Sequence, residues 1–167
     1  MTTTDPALPQ GDLDAVRTTI AQHPFAAGLA VDHLAVLAEH AATVVVAAGT
    51  FVFRQGAPAD TLYLLVEGDV DLEVAGGGAE PLVLESLHGG DALGWSWLFP
   101  TQPWLFDAHA RSATRAVTID GDRLRAAVHA DAVFGRDLAC RVAALVSDRL
   151  RHARLQLVDS WTHDRRA

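Results

Sequence analysis

The sequence contains no lysine: all 13 of its basic residues are arginines, which keep their charge when buried and grip planar anions through a fixed fork of donors. It has a single cysteine, Cys140, which excludes an intrachain disulfide and any thiol cluster for zinc or an iron–sulfur centre. Cys140 is expected as a packed helix residue. No apolar run reaches the roughly 18 residues that a bilayer span requires, so a soluble chain with no membrane partner is expected. The opening residues, MTTTDPALPQGDLD, have neither a basic end nor an apolar core and do not read as a signal peptide. Residues 1–22 are expected as a flexible lead, and the protein as cytoplasmic. Paired metal-ligand spacing is missing too: His23, His33, His40, His88, His109, His129, His152 and His163 are scattered, with no HExxH and no phosphate-cradling Walker loop. Neither an enzyme, nor a metal site, nor a resident cofactor is expected.

Charge is short of one sign in one part of the chain. The net charge is −8, and residues 1–121 carry 15 acids against 4 arginines, while residues 122–167 carry 6 acids against 9 arginines. Most of such a surface would repel a phosphate backbone, because nucleic-acid affinity comes largely from cations that release counterions. Direct DNA binding is not expected.

The chain is 50% hydrophobic and 20% charged over 167 residues, the profile of one globular domain with a real core. PFAAGLAVDHLAVLAEH, residues 24–40, has helical spacing, with Asp32 as a helix start. The period then drops to two. TVVVAAGTFVFRQG reads as two strands in a hairpin about Ala48-Gly49. TLYLLVEGDVDLEV gives two more, with Val70, Leu72 and Val74 facing inward and Asp69, Asp71 and Glu73 outward. PLVLESL and FDAHARSATRAVTID supply further strands. From Asp122 the helical period returns, and the last long helix carries an apolar stripe of Leu138, Val142, Leu145 or Val146, Leu150, Ala153 and Leu157. That stripe predicts a homodimer through this helix; part of it could instead lie back along its own domain.

The run GTFVFRQGAPADTLYLLVEGDV, residues 49–70, with its Gly49, Gly56 and Gly68 spacing, resembles the cyclic-nucleotide-binding domain of the catabolite activator (Crp/Fnr) family. The likeness extends over about residues 24–160. It implies an eight-stranded antiparallel β-roll of the jelly-roll, double-stranded β-helix type over residues 23–121 with its N-terminal helices. C-terminal helices over residues 122–160, including a dimerisation helix, and a tail at 161–167 would follow. With so few residues after Trp161, a helix-turn-helix domain is not expected, and the chain reads as the sensor half alone.

In that family a short helix begins at a cassette glycine and faces the cyclic phosphate, a glutamate takes the ribose hydroxyl, and an arginine pairs with the phosphate. Here LHGGDALGWSWLF falls on the cassette, and Gly94 matches the glycine. Trp95 stands at the glutamate position, and from His88 to Ala110 there is no cation at all. The arginine position falls near Trp104. Only Asp91, Asp107, His88 and His109 ionise nearby. Three readings stay open. Trp95, Trp97 and Trp104, with Phe99 and Phe106, fill the pocket, giving a ligand-free scaffold. Alternatively they stack on an unidentified small ligand other than cyclic AMP, with Ser96 giving a polar end. Or Arg111 and Ser112, in ARSAT, serve as displaced phosphate ligands of a true cyclic AMP or cyclic GMP receptor. Arg154 falls near the helix positions that meet the base in the family. The reading put first is a dimeric regulatory module with a degenerate cassette, sensing another ligand or acting through a protein partner.

Overall fold

The computed structural model describes residues 10–75, 80–99 and 102–164. Its chain divides into two compact units, residues 1–127 and 128–167.

The first unit starts with α1 (Gln10–Gln22), a 3-10 turn (Pro24–Ala26) and α2 (Val31–Glu39). Residues 10–22 are therefore not the flexible lead expected of them, whereas residues 1–9 lie outside the described residues. Val16 and Ile20, four apart, put one buried stripe on α1, which packs on α2. Helices this short owe their order to such a packed face more than to intrinsic propensity, and the threonines between hide the period.

Eight strands follow: β1 (Ala41–Val46), β2 (Phe51–Phe53), β3 (Thr61–Glu67), β4 (Asp69–Val74), β5 (Leu82–His88), β6 (Ala92–Leu93), β7 (Asp107–Ala110) and β8 (Thr114–Asp120). They form two antiparallel four-stranded sheets, ordered β1-β8-β3-β6 and β2-β7-β4-β5, the eight-stranded roll that the resemblance implies. One detail corrects the sequence reading. β1 and β2 are not a hairpin: β1 pairs with β8 in one sheet and β2 with β7 in the other. A glycine turn marks that the chain bends, not which neighbour the next strand joins. The same crossing occurs at Gly68, where the chain leaves β3 for β4 in the other sheet. Gly68 has φ +92°, and a Cβ there would sit 2.6 Å from the Ala113 carbonyl oxygen, so both the turn and the close approach require glycine.

Leu65, Val70, Leu72, Leu87, Leu93, Ala108 and Ala116 pack together between the sheets, with Val44, Val52, Phe53 and Tyr63 against them. Asp71 and Glu73 lie on the opposite face of β4, as alternation predicts, yet both are buried. β5, β7 and the bend after β7 cover them: Ser86 Oγ donates to Asp71 at 2.7 Å, Arg111 donates to its other oxygen at 2.8 Å, and His109 stands 3.8 Å from Glu73.

β8 runs into α3 (Gly121–Ala130), which carries the chain into the second unit and α4 (Ala132–Asp164). Asp131 starts α4 by accepting the Val133 and Phe134 amides at 2.8 and 3.1 Å. The helix reaches Asp164, four residues past the expected end of the helical region. Cys140, expected to be packed, is exposed. The apolar stripe divides. Leu138 and Val142 are buried within one copy of the chain and cannot serve a partner as expected of them. Leu145 and Val146 are half-buried, and Leu150, Ala153 and Leu157 are exposed.

Candidate functional site

Tyr63 and Leu64 of β3 pair with Leu93 and Ala92 of β6, which delivers the chain to Gly94. Gly94 turns it with φ +86° and ψ 21°. A Cβ there would lie 2.4 Å from the Thr61 carbonyl oxygen, 3.0 Å from the Trp104 ring and 3.3 Å from the Tyr63 ring. The 3-10 turn Trp95–Leu98 follows, closed by Trp97 N–H to Gly94 O at 3.2 Å and Phe99 N–H to Ser96 O at 2.9 Å. Trp97 is fully buried, and Ser96 nearly so. Trp95 is half-buried, edge-on to Phe99.

Trp104 comes back to this turn from the following loop. Its amide donates to Ala57 O and its carbonyl accepts from Gly56 N–H, both at 2.9 Å, so the backbone is clamped on both sides. Its ring stacks on Phe53 with centroids 4.0 Å apart and planes 14° from parallel, and Tyr63 tilts against the other partner of the stack at 5.8 Å. Only 5% of Trp104 is exposed. The space in front of Gly94 thus holds indole where the resemblance implies a phosphate-binding arginine. Burial pushes the Tyr63 phenol up from its ordinary value, keeping it neutral.

A cation does bond to the cassette turn, through its backbone. Arg125 of α3 donates to the Trp97 carbonyl and to Asp122, tying the turn to α3 within the same unit. A guanidinium on that carbonyl is spent on the backbone, not offered to a ligand.

Arg111 and Ser112 are not brought to Gly94. Arg111 pairs with Asp71, on the face of β4 away from Val70 and Leu72, and 62% of its side chain is exposed. The Ser112 hydroxyl accepts the Asp69 amide at 2.9 Å and donates to the Asp69 carboxylate at 3.0 Å, locking the bend after Gly68. His88 also binds that carboxylate, at 2.7 Å; this bond holds Asp69 below the usual carboxylate range and His88 above its ordinary value. The other ionisable groups named from sequence are likewise engaged. Asp91 accepts the His88 amide at 2.8 Å, Asp107 accepts from Arg54 and the Gln55 amide at 3.1 and 2.6 Å, and His109 stacks on Phe51. Arg154 is an exposed residue of α4. Sequence reasoning passed over Phe53, Tyr63 and Arg125. The alternation of FVF and TLY could have assigned the two rings inward; nothing local marks Arg125.

The site offers rings, one buried hydroxyl and an unpartnered indole N–H on Trp97. Among the described residues it offers neither a base beside a nucleophile nor a free cation, and no group of three potential ligands could hold a metal ion.

The family model described as Cyclic nucleotide-binding domain matches residues 43–131. No curated protein matches the chain. Among solved structures, a Geobacter metallireducens chain assigned to the cyclic nucleotide-binding proteins is 28% identical, with TM-score 0.71, over 82% of this chain and 96% of that one. The sensor domain of the transcriptional regulator DNR from Pseudomonas aeruginosa is 21% identical, with TM-score 0.63, over 86% of this chain and 93% of that one. The regulatory subunit of a cAMP-independent protein kinase A from Trypanosoma cruzi, bound to guanosine, is 19% identical, with TM-score 0.60, over 66% of this chain and 40% of that one.

Proposed function

The chain belongs to the cyclic nucleotide-binding domain family, and from that premise we propose that it is a regulatory module whose cassette is closed by its own Trp104, so that it works without cyclic AMP or cyclic GMP. The observation that carries this reading is the Trp104 ring, 5% exposed, stacked on Phe53 and in contact distance of Gly94. A cyclic phosphate brings a charge that needs a donor or cation in a partly buried site, and a charge-assisted bond to arginine contributes about 1.5–3 kcal/mol. Here Arg111 is held by Asp71 on the other face of its sheet, and Arg125 is bound to a backbone carbonyl. The Trypanosoma cruzi subunit, which belongs to a cAMP-independent protein kinase A and is bound to guanosine, parallels the independence from cyclic AMP but not the closed cassette. Saturating cyclic AMP or cyclic GMP should leave the melting temperature unchanged, since a ligand that binds only the folded state raises it. A rise with either nucleotide overturns the proposal.

Such a module acts through contact with other chains. Leu150 is 49% exposed and Leu157 62% exposed, with Ala153 between them at spacings of three and four. This seam supports a homodimer through the later part of α4, leaving the roll to meet a protein partner. Leu150→Asp should give the monomer mass in light scattering without loss of helical signal, because the side chain contributes little to its own fold. A dimer that persists at the same concentration contradicts this surface.

A further inference from the structure

His23, just after α1, uses one ring nitrogen to cap the next turn and the other to reach the roll. It is the cap of the Pro24–Ala26 turn, and its Nδ1 receives the Phe25 amide at 3.2 Å. That nitrogen must therefore be unprotonated, which puts the hydrogen on Nε2, 3.1 Å from the Leu65 carbonyl oxygen in the middle of β3. The same carbonyl accepts the Gly90 amide at 2.7 Å, and Pro24 lies over Gly90, so one neutral imidazole links the N-terminal helices, the central strand and the β5–β6 turn. The residue is 6% exposed, leaving water little access as a substitute partner.

We propose that His23 is a proton-sensitive latch, holding α1 and the following turn on β3 while neutral and releasing them when it is protonated. A second proton would have to go on Nδ1, where it would face the Phe25 N–H: donor against donor, with the turn's cap lost. The surroundings favour the neutral ring. Burial lowers its pKa from the ordinary value, against the opposing pull of the Leu65 and Asp91 carbonyls and of the Asp91 carboxylate. Elsewhere around it, α1 pairs Asp14 with Arg17 on its exposed side, the far end of β3 pairs Glu67 with Arg115, and the β5–β6 side adds His88, which is bound to Asp69. Because the folded pKa is depressed, the latch is complete above about pH 6.5, the unfolded value, and weakens as pH falls toward the folded one.

Amide hydrogen exchange on the intact chain tests this, with rates corrected for intrinsic pH dependence. Between about pH 7.5 and about pH 5.5, protection of residues 13–27 should fall by about tenfold for each pH unit crossed between the two pKa values, while β3 and β8 keep theirs. His23→Gln, which can still donate to Leu65 O but cannot titrate in this range, should remove that dependence. Protection falling equally across all strands, or an unchanged dependence in H23Q, overturns the proposal. The wild-type ring gives an independent reading by nitrogen NMR: hydrogen on Nε2 and a titration midpoint below that of free histidine are expected, whereas hydrogen on Nδ1 or a midpoint at or above about 6.5 refutes it.

Discussion

Trp104→Ala should destabilise the protein by about 3–5 kcal/mol, the range for truncating a buried aromatic side chain. For a chain of this size that lowers the melting temperature by roughly 2–4 °C per kcal/mol, a drop readily seen by calorimetry. The loss has two sources. Removing the indole opens a void in front of Gly94, and it unstacks Phe53 from a ring 4.0 Å away. The backbone bonds to Gly56 and Ala57 stay possible, so the effect belongs to the ring. Trp104→Phe should recover most of the stability, and Trp95→Ala, at a half-buried position, should cost much less. If Trp104→Ala costs under about 1 kcal/mol, the ring does not fill the interior, because a filled site cannot lose its side chain so cheaply.

Gly94→Ala should be comparably damaging, at about 3 kcal/mol or more. A side chain in left-handed backbone costs roughly 1–2 kcal/mol by itself. The remainder comes from the Thr61 carbonyl oxygen, which would lie 2.4 Å from the new carbon and can move only if β3 moves. Gly28→Ala separates the two contributions. Gly28 also has positive φ, at +75°, but a Cβ there would meet nothing within 4 Å. Chemical denaturation should show the Gly28 change costing only the backbone strain. Equal costs at both positions would mean that the approach of Thr61 to Gly94 is relieved by a small adjustment.

Strand positions and the family were legible because alternation and glycine spacing are local signals. The FVF, TLYLLV and DVDLEV runs lie where they read, and Gly94 stands where the quoted cassette places it. Pairing was not legible. Ala48-Gly49 reads as a hairpin, yet β1 and β2 join different sheets, because a turn sets a chain direction and long-range contacts choose the neighbour. Alternation turned Asp71 and Glu73 outward correctly but said nothing about Ser86, Arg111 and His109 covering them. The stripe on α4 could not distinguish buried Leu138 and Val142 from exposed Leu150 and Leu157, since a core face and a partner face share one period.

The cassette shows the same division. Gly94, the substitution of Trp95 and the shortage of cations are read from one continuous stretch, His88 to Ala110. Whether the tryptophans close the site depends on Phe53, some fifty residues before Trp104, and on a turn at 54–57 that clamps the Trp104 backbone. Arg111 illustrates the converse: ARSAT looks right in sequence, but the bend between β7 and β8 that carries it delivers the guanidinium to Asp71.

Titration calorimetry of the intact chain with cyclic AMP and cyclic GMP bears most directly on a cassette closed by Trp104. The expected result is no saturable heat from either nucleotide, with a dissociation constant no tighter than about 1 mM, near −4 kcal/mol. Saturable, stoichiometric binding of either one, tighter than about 1 mM, would contradict it.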